Sequence, residues 1–266
     1  MSPDEGVVFV VSGFLALAGW WRWYAPLVSV KRLGAGRDGR LLLAVTPVLA
    51  LVALFAVLRT AASFDVQDSP LYLSFYLVLG AGWVGLAAQL LPALGLNPRD
   101  DVVERGNGAA ALAVAGAVLG LTFSFAGGNI GDGPGWWVVL FAAALATVGL
   151  GVVWYAVERL TRIADLVTID RDVAAGLRLG ALLAASGLML GRAVAGDWVS
   201  AAATVSDFVR VAWPVLPLAL AAMLVERVAR PTPESPAPPV ALYGMPPALL
   251  YLAIAVAYVI QRGPLA

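Results

Sequence analysis

The 266-residue chain is 61% hydrophobic and only 13% charged, and its mean hydropathy of +0.87 is that of a membrane protein. Its 17 basic and 17 acidic residues cancel, which leaves no charge basis for nucleic-acid binding. With no His and no Cys it cannot build a His-ligated haem, a Cys/His zinc site, a Ser-His-Asp triad or a disulfide.

Taken in chain order, apolar runs long enough to cross about 30 Å of hydrocarbon as helices fall near Gly6 to Trp21, Leu41 to Leu58, Leu71 to Leu96, Ala109 to Phe125, Trp136 to Val157, Ala174 to Ala195, Val205 to Val225 and Met245 to Ile260. None shows the period-two alternation of a barrel strand, so the predicted fold is all-α: a polytopic helical membrane protein with about eight spans. Seven is the alternative count. The seventh run carries Asp207 and Arg210 in its first turns, and Pro214 and Pro217 must kink it. The first run follows acidic Asp4 and Glu5 and lacks a small-x-small cleavage site, so it reads as a span rather than a signal peptide.

Basic residues alternate between connections. Arg22, Lys31, Arg32, Arg37, Arg40, Arg99, Arg105, Arg159, Arg162, Arg171, Arg227 and Arg230 fall on one side, against Arg59, Arg210 and Arg262 on the other, with Arg192 close by. The positive-inside rule then predicts an inner-membrane protein with both termini outside the cytoplasm. Trp20, Trp21, Trp23, Trp136, Trp137 and Trp198 at the ends of runs are expected to form an interfacial belt. Pro231 to Pro239 is too proline-rich for helix and reads as an extended linker.

A pattern recurs within the chain. Arg105-Gly106-Asn107 opens one small-residue helix and Arg171-Asp172 another, and the return helices end in Val157-Glu158-Arg159 and Val225-Glu226-Arg227. Two hairpins in one orientation make a parallel repeat. The expected division is a three-helix region over 1–103, two-helix repeats over 104–169 and 170–230, a Pro-rich cytoplasmic linker over 231–244 and a last span over 245–266. A fainter third copy runs from Arg37-Asp38 to Gly95. Gly106-Asn107 with Ala109-Ala110-Ala111-Leu112, Ala115-Gly116 and Leu119-Gly120 resembles the duplicated two-helix bacterial membrane repeat of the domain-of-unknown-function family 350, over roughly residues 104–230. That resemblance implies an inner-membrane protein with no established activity.

In lipid, helices associate through close backbone approach over small residues. Gly116 and Gly120, Gly176 and Gly180, and Gly187 and Gly191 have the required spacing, so the fourth and sixth runs are expected at the centre of the bundle, packing the monomer or forming a seam between copies. Asn107 and Asp172 are candidate caps of those helices.

The sixth run carries Arg178 and Arg192. Its six Leu contribute about −2 to −4 kcal/mol to insertion and a central Arg opposes them by about +2.5 to +3.5. Either both arginines snorkel to headgroups, or they line a path or pair with carboxylates: Arg178 with Glu158 or Glu226, Arg192 with Asp132, Asp197 or Asp207.

Catalytic motifs are weak. Asn129-Ile130-Gly131-Asp132 lacks the first Gly of an intramembrane aspartyl protease, Gly128 to Gly135 lacks the Lys of a phosphate loop, and Asp165, Asp170 and Asp172 are spaced loosely for a divalent ion. The expected protein is therefore no enzyme and takes no cofactor or metal. It is a structural or complex-forming membrane component whose partners are the lipid bilayer and either a second copy or another envelope protein. The alternative is a channel or transporter for a small solute or ion.

Overall fold

The computed structural model describes residues 1–31, 39–232 and 239–263. Arg32, Arg37 and Asp38, where the fainter third copy was expected to begin, and most of the Pro-rich linker lie outside the described residues.

Every regular element among the described residues is a helix: α1 (Pro3–Ser29), α2 (Arg40–Thr60), α3 (Phe64–Asp68), α4 (Pro70–Ala87), α5 (Gly108–Gly127), α6 (Trp136–Thr161), α7 (Ile163–Thr168), α8 (Val173–Val194), α9 (Ala201–Ala212), α10 (Val215–Ala229) and α11 (Met245–Gln261). Seven helical stretches are long and apolar enough to span a membrane, and α9 with α10 make an eighth if the bent pair is one span. Such helices satisfy their own backbone groups, which lipid does not.

The break between α9 and α10 is a 41° bend at Trp213-Pro214. Pro217 breaks nothing, because it sits in the first turn of α10, where its missing N–H is not needed. The third run also ends otherwise than a single straight span: α4 tightens into a 3-10 turn at Ala88–Leu94 around Pro92, and a wide π turn, Pro98–Glu104, leads to α5.

α5 and α8 form the axis of the bundle. Within each spanning window 83% of residues are buried, against 50% or less for every other span. The two run parallel, since Ala109 meets Gly176, Gly116 meets Gly180, Gly120 meets Gly187 and Gly127 meets Gly191 in order along both. Around this axis α2 and α4 lie against α5, α11 lies against α8, and α6 lies against both. α1 packs on α4 further out, with Gly19 against Gly85 and Gly82 against the Ser12 carbonyl.

The tryptophans divide into two roles. Trp21 is exposed and Trp137 stacks edge-on with Trp198 at 5.0 Å between centroids, as an interfacial belt requires. Trp23 is buried and donates to the Leu43 carbonyl at 2.9 Å, and Trp20 donates to Ala81 O at 3.1 Å, so these two join α1 to its neighbours.

Candidate functional site

The approach to each axial helix is built alike. Arg105 N–H donates to Asp100 O and Asn107 N–H to Asp101 O; sixty-five positions later Asp170 N–H donates to Asp165 O and Asp172 N–H to Leu166 O. Gly106 (φ 64°) and Arg171 (φ 56°) are the left-handed residues that turn the chain into the cap. Glycine takes that conformation freely, whereas Arg171 pays about 1 kcal/mol for it. This register corrects the sequence pairing of Arg105 with Arg171: Arg171 stands where Gly106 does, and Asp170 where Arg105 does.

Asn107 does more than cap. Its Oδ1 accepts from Ala109 N–H at 3.0 Å and Ala110 N–H at 3.1 Å, while its Nδ2 donates to Val167 O at 2.7 Å, tying the start of α5 to the end of α7. Asp172 accepts from Ala174 N–H at 2.8 Å but has no N–H to give, and its Oδ2 is buried without a partner. Beside Asn107, burial pushes the Asp101 carboxyl above its ordinary range, against the pull of the Asn97 N–H and of Arg105.

Further along the axis the glycines decide how close α5 and α8 come. A Cβ added at Gly116 would strike Gly180 O, one at Gly187 would strike Gly120 O, one at Gly191 would strike Phe123 O and one at Gly176 would strike Ala109 O. Gly180 faces Leu112 and Gly120 faces Leu183 in the same manner. The two backbones touch at each of these glycines in turn.

Arg178 sits on this axis, 1% exposed. Its Nε and Nη2 form a fork on Glu226 of α10, at 2.5 and 2.8 Å, and its Nη1 donates to Tyr243 O in the turn before α11 at 2.7 Å. One guanidinium thus joins α8, α10 and the entry to α11. A buried arginine with a bidentate carboxylate and a carbonyl keeps its charge compensated without water. Tyr251 of α11, also buried, lies within electrostatic reach of both charges, and its hydroxyl has no partner.

Three of the arrangements expected of these residues do not form. Arg178 does not snorkel, because its nitrogens are consumed inside the bundle. Glu158 does not reach it: Arg162 turns the chain at φ 51° and the Glu158 carboxylate caps α7 by accepting Ala164 N–H at 2.8 Å. In the matching register the place of Arg178 on α5 is taken by Ala113, so the first Val-Glu-Arg has no arginine to meet. Arg192 pairs with none of Asp132, Asp197 or Asp207. It donates to the carbonyls of Arg262 at 3.1 Å and Gly263 at 3.4 Å. Asp197 is engaged by the Asp132 N–H at 2.7 Å and Asp207 by Arg210.

Sequence reasoning missed Tyr243, whose contribution is a backbone carbonyl and carries no side-chain signature, and Tyr251. It also missed the contacts of Gly19 with Gly85 and of Gly82 with Ser12 between α1 and α4, although Gly80, Gly82 and Gly85 stand close together in the sequence. Among the described residues no group of three or more Asp or Glu is placed to hold a metal ion. Protein-family models, curated proteins and solved structures include no match to this chain.

Proposed function

We propose that this membrane protein is a non-enzymatic structural or complex-forming component of a bacterial inner membrane, built around a duplicated two-helix unit. The observation that carries the reading is the closed axis: α5 and α8 meet backbone to backbone, and of the two arginines on α8, Arg178 is saturated by Glu226 and Tyr243 O while Arg192 donates to the carbonyls of Arg262 and Gly263. A conducting path between α5 and α8 would need room that their backbone contact does not leave. The like-built turns at Gly106-Asn107 and Arg171-Asp172 support the duplication, in keeping with the resemblance of residues 104–230 to the family-350 repeat. Orientation follows from charge: the arginine-rich helix ends face the cytoplasm and both ends of the chain lie outside it.

Sealed liposomes test the reading against its alternative. Vesicles carrying the purified protein are expected to pass potassium, chloride and protons no faster than empty vesicles. A protein-dependent flux that changes in Arg178→Gln or Arg192→Leu would establish a channel or transporter instead.

A further inference from the structure

At the arginine-rich end, a cavity of about 470 Å³ opens between the last turns of α1, the 3-10 turn at Ala88–Leu94 and the π turn at Pro98–Glu104. Its walls divide by chemistry. Trp21, Trp23, Pro26 and Pro92 supply apolar surface, and Arg22 and Arg99 supply charge, with no Asp or Glu among the lining residues. Arg22 lies seven residues before the end of α1, roughly 10 Å along the helix axis, directly after the exposed Trp21. In membrane helices exposed tryptophan of this kind gathers at the level of the lipid headgroups.

Arg22 is exposed and has no hydrogen-bond or ion-pair partner among the described residues, although Arg40, Arg105 and Arg178 are all engaged. Arg99 is held through its Nε by Glu104 at 3.2 Å, with Asp100 at 4.0 Å, and its terminal nitrogens make no bond among the described residues. An unpaired guanidinium at this depth seeks a phosphate, which it can grip bidentately.

We infer that this groove binds the phosphate of an anionic glycerophospholipid, with Arg22 as the principal contact, Arg99 as the second and the upper acyl chain laid against Trp21, Pro26 and Pro92. A free phosphate ion would use the arginines alone. The apolar wall fits the amphiphile, as do the basic interhelical pockets that take anionic headgroups in other membrane proteins.

Titration calorimetry of the full-length protein, delipidated in a neutral maltoside detergent, tests this with three probes: dioctanoyl phosphatidylglycerol, dioctanoyl phosphatidylcholine and inorganic phosphate. Phosphatidylglycerol is expected to bind about tenfold or more tightly than phosphatidylcholine, and Arg22→Ala to weaken it by about tenfold. Arg227→Ala, an exposed arginine at the same end but outside the groove, should leave the affinity unchanged. Arg99→Ala provides a second variant with the same expected direction should Arg22→Ala not fold. Equal affinity for the two lipids, or undiminished binding by folded Arg22→Ala and Arg99→Ala, overturns the site. Inorganic phosphate binding as tightly as phosphatidylglycerol overturns the lipid as its occupant and leaves a phosphate site.

Discussion

Glu226→Ala is expected to lower the stability of the folded bundle by about 3–5 kcal/mol, because it leaves a buried guanidinium uncompensated. Arg178 is 1% exposed, and with Glu226 gone its remaining partner is Tyr243 O. The size of the effect comes from the orphaned charge more than from the lost bonds. Removing both charges together, as in Arg178→Met with Glu226→Leu, should therefore recover most of the loss, since buried ion pairs replaced by apolar residues of similar volume are often neutral or stabilising. Equilibrium unfolding in mixed micelles measures both variants. A double variant as unstable as Glu226→Ala would show that the pair is not the cause.

The glycine axis makes the second large effect. Gly116→Ala and Gly187→Ala each place a methyl group against a backbone carbonyl of the facing helix, closer than any real Cβ sits to an oxygen. Backbone does not step aside as a side chain would, so α5 and α8 must part along several turns and lose dispersion contacts that no hydrophobic effect replaces in lipid. A loss of about 3 kcal/mol or more is expected for each. Gly151→Ala on α6 is the control, because nothing lies within 4 Å of the added Cβ. There the same change should be neutral or stabilise by about 0.5–1 kcal/mol through better helix propensity. Thermal unfolding of the three variants side by side reads the contrast. Similar losses in all three would mean that helix approach is not what these glycines serve.

Much of the fold was legible because lipid imposes it. A backbone that finds no water must be helical, so apolar run length alone located the spans, and Pro214 marked the break between α9 and α10. What a span meets is a different question. Glycine spacing pointed to α5 and α8 but not to which glycine faces which carbonyl, since that register depends on the turns at Gly106 and Arg171. Charge pairing was less legible still. Glu158 and Glu226 stand in the same tripeptide, and their separate fates arise from the reverse turn at Arg162, which hands Glu158 an N–H to cap, and from Ala113 standing where α5 would need an arginine. The partners of Arg192 are carbonyls of a chain end seventy residues away, which no local pattern marks.

If the closed axis serves assembly, native mass spectrometry of the protein released gently from its own membrane is the most direct measurement. A second polypeptide, or a second copy, is expected at fixed stoichiometry in the released complex. A monomer with no partner, found across mild detergents, would contradict a complex-forming role.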